Sequence, residues 1–195
     1  MPTAAVVLVN QIVSILSTSD WPVRWVSPET AHLTLHFLGD VAPERAQLLR
    51  MALTPALAQQ SAFTIQTGHL GVFPDLQRPR VIWLGLDGQT NYLSALHAAV
   101  AAALRTLEFP VETRDLRAHL TLGRVRDNPS SGFPVNLRRR MNDPELRTLV
   151  EESSMRFPVT EVQLIRSYLG KTGARHETLA RYPLLPYSPH SDQET

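Results

Sequence analysis

Apolar residues along this chain follow two rhythms, one of threes and fours and one of twos, and the switches between them mark its elements. Val6, Val9, Val13 and Leu16 recur at helical spacing and predict an N-terminal amphipathic helix. Pro22 and Ser27-Pro28 punctuate a short strand, VRWV, before a strand-like run, HLTLHFLGD, from His32 to Asp40. From Pro43, ERAQLLRMAL predicts a helix with Ala46, Leu49 and Leu53 on one face, kinked or ended by Pro55. FTIQTGHLGVF (63–73) and RVIWLGLDG (80–88) read as strands, the second closing on the turn signal Asp87-Gly88.

NYLSALHAAVAAALRTLEF (91–109) is the clearest helix, with Leu93, Leu96, Val100, Leu104 and Leu107 along one stripe. A strand, HLTLGRV, starts at His119, followed by a polar loop, DNPSSGFP. LRRRMNDPELRTLVEES predicts a turn and a short helix; FPVTEVQLIRSYLG and HETLARYPL predict a closing pair of strands joined by KTGAR. The last residues, YSPHSDQET, predict a loose tail.

Strands and helices intermix without strict β-α alternation, which predicts an α+β fold. His-Leu-Thr-Leu occurs twice, at His32 and at His119, in comparable places of the two halves. The repeat predicts a bilobal domain over residues 1–186: two pseudo-symmetric lobes, each with an antiparallel sheet and outer helices, around a central cleft. Residues 187–195 would be a flexible tail.

Composition narrows the functions. At 43% hydrophobic and 19% charged residues, the chain can bury a sizeable core. A formal net charge of +1 provides no broad basic field for unselective binding of long nucleic acid, but leaves room for a small anionic group in one cleft. There is no cysteine, which excludes disulfides, thiolate nucleophiles and cysteine-ligated zinc. Asn10 and Gln11 interrupt the N-terminal apolar run and no basic region precedes it, so it does not read as a signal peptide. Nothing approaches the roughly 20 apolar residues of a membrane span. A soluble, cytoplasmic protein is expected.

Side chains alternate across a strand. If each motif is a strand, Leu33, Leu35 and Phe37 face one way and His32, Thr34 and His36 the other; likewise Leu120 and Leu122 oppose His119 and Thr121. Each motif then offers an imidazole and a hydroxyl side by side. Near neutrality one imidazole can take a proton while another gives one, and the hydroxyls can steady charge growing on an anion. That set suffices to open a phosphodiester with no metal. A lone strand histidine is more often a surface or hydrogen-bonded residue; it is the repetition that favours chemistry. A two-histidine metal site is the other alternative, but no Asp, Glu or third His stands at a ligand spacing near either motif.

HLTLHFLGD and HLTLGR resemble the paired signatures of the two-histidine (2H) phosphoesterase superfamily. More narrowly, WVSPETAHLTLHFLGDV, GVFPDLQRPRVIWLGL, AHLTLGRVR and SYLGKTGARHETLARYPL resemble, in order, segments of the RNA 2′,3′-cyclic phosphodiesterases long named 2′-5′ RNA ligases. The resemblance covers roughly residues 23–186 and implies the bilobal fold. It implies hydrolysis of a 2′,3′-cyclic phosphate at an RNA end to a 2′-phosphomonoester, with ATP-independent 2′-5′ ligation as the reverse reaction. It implies His32 as proton donor to the departing 3′ oxygen, His119 as proton acceptor activating water, and Thr34 and Thr121 as phosphate-binding residues. No cofactor, metal, membrane or protein partner is implied, and a monomer is expected.

Two departures stand out. The family usually opens with an apolar strand near Met1, whereas this chain starts almost at its first helix; a missing strand would leave an unpaired sheet edge. His176 occupies the place of a common aromatic, which could alter contacts with a base. Arg124 resembles a family arginine and reads equally as a partner of a phosphate oxygen or as solvated surface, since strand parity turns it away from His119 unless a bulge intervenes. His36 reads as an exposed strand histidine, Phe73 and Trp83 as core aromatics with the option of stacking on a base, and Arg138, Arg139 and Arg140 as a solvated face. His69, His97 and His190 carry no assignment. Two other functions fit the same residues: a binding module that has lost turnover, and a phosphodiesterase for a small cyclic nucleotide.

Overall fold

The N-terminal rhythm folds as helix α1 (Thr3–Leu16), burying Ala5, Leu8, Val9, Ile12 and Leu16. The buried stripe is rotated slightly from the expected one, so Val6 and Val13 flank it half-buried. The structure, a computed structural model, describes residues 1–17, 20–111, 115–170 and 173–187. Strand β1 (Val23–Trp25) and a 3-10 turn (Pro28–Thr30) lead to helix α2 (Pro43–Leu57), which buries Leu49, Leu53 and Leu57. Pro55 lies inside α2, which ends two residues later. Strands β2 (Phe63–Phe73) and β3 (Val81–Gly88) and helix α3 (Thr90–Thr106) follow as expected, with Leu93, Leu96, Val100 and Leu104 buried on α3. Strand β4 (His119–Val125) carries the second motif.

Three expectations are corrected. The first motif is not a strand: it touches β4 by an isolated antiparallel bridge, Leu33 to Leu120. The 3-10 turn inserts residues between β1 and the motif, so the chain meets the edge of β4 again at one point. The alternation also lapses, leaving Leu33 and Leu35 half-buried and Phe37 78% exposed. Secondly, the polar run after β4 holds two helices, α4 (Phe133–Met141) and α5 (Pro144–Glu152). Each opens with a proline in its first turn, where no N–H is needed, and Asp143 caps α5 by accepting from the Glu145 N–H at 3.0 Å. Thirdly, the long penultimate strand is two, β5 (Arg156–Val159) and β6 (Glu161–Gly170), before β7 (Gly173–Pro183).

The five-stranded antiparallel sheet has the order β1-β4-β3-β2-β5, and β6 and β7 form a separate antiparallel hairpin. The α+β architecture with two antiparallel sheets is therefore present, with unequal lobes. The chain crosses between them at Thr160, whose carbonyl accepts from the Leu184 N–H at 2.8 Å. Val23, Ile82, Leu84, Leu86, Leu120, Leu122 and Val125 form one buried face of the large sheet and join the helices' apolar residues in a single hydrophobic cluster. Burying each such leucine contributes about 1.5–3 kcal/mol. The opposite face carries the second motif. Most of the expected tail, 188–195, lies outside the described residues.

Candidate active site

The Leu33–Leu120 bridge organises the site. In an antiparallel register, pairing Leu33 with Leu120 sets His32 level with Thr121 and Thr34 level with His119. Side chains flanking a bridged pair point to the opposite face from it. Leu33 and Leu120 pack against the core, whereas His32 and Thr34 are exposed and His119 and Thr121 are half-buried.

Each imidazole is held in the same way. His32 Nδ1 lies 2.8 Å from the Thr30 carbonyl oxygen, and His119 Nδ1 lies 2.6 Å from the Arg117 carbonyl oxygen, in each case two residues upstream. A carbonyl only accepts, so Nδ1 carries the proton in both rings and Nε2 is left for chemistry. The surroundings differ. His32 is exposed and meets the edge of the His176 ring at 5.0 Å between centroids. His119 is half-buried, with Phe73 edge-on at 5.0 Å and Trp83 at 6.1 Å. Phe73 and Trp83 therefore stand beside the His119 ring, half-buried, rather than in the core. The Trp83 indole lies across Gly71 of β2, where a Cβ would come within 2.1 Å of it, so any larger residue there would displace the wall.

Arg124 reaches the open face through a bulge. Trp83 pairs with Thr121 and Val81 pairs with Arg124, while the register shifts by one residue between them. Cross-strand partners share a face, and residues two apart on β3 share a face, so Thr121 and Arg124 share one too. The odd residue is absorbed at Leu122 and Gly123, which are both buried. Simple alternation would have sent Arg124 the other way.

His36 is half-buried rather than exposed: it stacks on His97 of α3 at 4.1 Å, and its Nε2 lies 3.0 Å from the His97 carbonyl oxygen. That contact anchors the first motif to α3. His176 sits opposite Ser167 on the hairpin, its Nδ1 2.9 Å from the serine Oγ. Burial, then the neighbouring His32, hold the His176 pKa below the ordinary histidine value. Arg117, whose guanidinium lies 5.9 Å from the Phe73 ring, and Arg24, which pairs with Arg124, had no signal in the motifs. Among the described residues no group of three or more His, Cys, Asp or Glu side chains is gathered as metal ligands, and no helix is long and apolar enough to cross a membrane.

Residues 19–171 match the 2′-5′ RNA ligase superfamily. The chain belongs to this superfamily. Within it, the chain is 32% identical over 170 residues to the RNA 2′,3′-cyclic phosphodiesterase of Geobacillus stearothermophilus, covering 87% of the chain but only 50% of that relative. A relative of the same name from Aeropyrum pernix is 32% identical over 158 residues, 81% of the chain and 84% of the relative. Among solved structures, a Thermus thermophilus protein superposes with a TM-score of 0.75 at 20% identity, covering 96% of both chains. E. coli LigT complexed with 3′-AMP superposes with a TM-score of 0.65 at 22% identity, covering 92% of both. At those identities the superpositions establish the superfamily fold.

Proposed function

We propose that this protein is an RNA 2′,3′-cyclic 3′-phosphodiesterase that hydrolyses the cyclic end to a 2′-phosphomonoester by paired-histidine acid-base catalysis, without a metal. The observation that carries the reading is the matched pair of Nδ1 tethers on either side of the Leu33–Leu120 bridge. They leave both Nε2 atoms free, and the family resemblance assigns the two rings their opposite roles. His119 is the acceptor: its neutral Nε2 takes a proton from water as the water oxygen attacks phosphorus. His32 is the donor: the P–O3′ bond breaks and its Nε2–H protonates the departing O3′. The carbonyl oxygens of Thr30 and Arg117 support the positive charge each ring bears in turn. The hydroxyls of Thr34 and Thr121 donate to the non-bridging phosphate oxygens, where charge accumulates, and Arg124 pairs with a phosphate oxygen of the RNA backbone.

The matched tethers also suit the reverse direction. A 5′-hydroxyl in place of water would give a 2′-5′ link, with no nucleotide triphosphate consumed. The curated relatives' name, RNA 2′,3′-cyclic phosphodiesterase, supports the substrate class. A cysteine-free chain acting on RNA ends fits the reducing cytoplasm.

The test is hydrolysis of a short RNA ending in a 2′,3′-cyclic phosphate, in the presence of chelator, by wild type and by His32→Ala and His119→Ala. Phosphorus NMR identifies the product. A 2′-phosphate from wild type, with each variant slower by about 10²–10⁴-fold, is expected. Tight binding without product from folded wild type would replace the enzyme by a binding module; turnover of small cyclic nucleotides alone would replace the substrate.

A further inference from the structure

Arg24 of β1 stands directly opposite Arg124 of β4. Their neighbours Val23 and Val125, also paired, are both buried, so the two guanidiniums rise together on the face that carries Thr121 and His119. Like charges placed directly across an antiparallel ladder destabilise it. Among the described residues neither arginine has an ion pair, whereas Arg80 close by is bound to Asp127 at 2.8 Å. A bare pair of cations, brought to the reactive face by a bulge, is explained by an anion that arrives with the substrate.

We infer that Arg24 and Arg124 form a subsite for a second backbone phosphate, that of the nucleotide preceding the cyclic end. The inference rests on the phosphodiesterase reading. From Thr121 to Arg124 the strand advances three residues, one of them taken up by the bulge, which is about 7 Å at strand spacing. That is the scale of one nucleotide step from the phosphate held at Thr121. Two planar guanidiniums side by side suit the non-bridging oxygens of one phosphodiester, and its charge would relieve their mutual repulsion. The site therefore prefers an oligonucleotide end to a cyclic mononucleotide. Arg24 is a specificity-determining residue, set apart from the reacting atoms.

The experiment compares wild type with Arg24→Gln and Arg24→Lys on a dinucleotide ending in a 2′,3′-cyclic phosphate and on the corresponding nucleoside 2′,3′-cyclic monophosphate. In Arg24→Gln, the ratio of kcat/KM for the longer substrate to that for the shorter is expected to fall about tenfold, with Arg24→Lys between the two. A parallel arm reads binding of a 3′-phosphorylated dinucleotide, which needs no turnover; its dependence of log K on log salt should flatten by about 0.7 in Arg24→Gln. The thermal midpoint should match or exceed wild type, because a like-charge pair has been removed. A ratio and salt slope unmoved in a folded variant would overturn the subsite. So would an equal loss on both substrates, which would put Arg24 at the reacting phosphate, or a fall in thermal midpoint, which would put it in the fold. Flattened binding in a protein that turns over neither substrate would keep the subsite and discard the catalytic reading.

Discussion

The two His-Leu-Thr-Leu motifs have the same sequence and live in different structures. The second opens β4, a bulged strand paired with β3 along the motif and with β1 just beyond it. The first is an irregular segment fastened by the Leu33–Leu120 bridge and by the His36–His97 stack. Yet both imidazoles are tethered through Nδ1 to the carbonyl two residues back. What the repeat preserves is therefore the local pose of the ring, and strand pairing is one of two ways to support it. The aromatic wall lies on the His119 side, and a third imidazole lies on the His32 side. Chemistry is matched across the bridge while the surroundings are not.

The sharpest test of that contrast is stability. Leu120 is 1% exposed, and Leu120→Ala should cost about 2–5 kcal/mol in denaturant unfolding. Leu33, half-buried at the other end of the same bridge, should cost clearly less. Equal losses would mean that the first motif is as firmly built as the second. Activity should instead be matched across the two motifs. Thr34→Val and Thr121→Val keep shape and remove the hydroxyl, and each should lower kcat/KM on a cyclic-phosphate RNA by about 10–100-fold. A large loss at Thr121 with none at Thr34 would break the proposed equivalence of the motifs.

The smallest expected effect concerns His176. Burial, and secondarily His32, make its charged form unfavourable, so its NMR titration should lie below the ordinary histidine value of 6.5. His32→Phe retains a ring and removes the charge, and should move that titration only part of the way back. As pH falls below about 6.5, an unfolded His176 takes up a proton that the folded one resists, so this contribution to stability is lost on acidification and present above that range. A His176 that titrates at its ordinary value would detach it from the His32 side of the cleft.

The sequence made the helical stripes and the repeated motif legible because both are local patterns. The position of His119 and Thr121 on one face followed from alternation along β4. Two features were hidden for the same reason, that they depend on partners. Whether the first motif would pair as a strand depended on where the 3-10 turn at Pro28 returned it, which no periodicity encodes. Whether Arg124 would face His119 depended on an extra residue absorbed at Leu122 and Gly123, visible only against β3. Arg24 became interesting only through its register with Arg124. The doublet in the polar run after β4 was legible in principle, since Phe133-Pro134 and Asp143-Pro144 are both helix openings.

The Nδ1 tethers have a consequence for how such a protein can change over generations. In many acid-base pairs the orienting partner is a side chain, and a single codon change can erase it. Here the partner is main chain, at residues 30 and 117, and every amino acid supplies a carbonyl. Thr30 and Arg117 can therefore drift in identity while the two rings keep their aim, so the surrounding rim can be remodelled without disturbing the imidazoles.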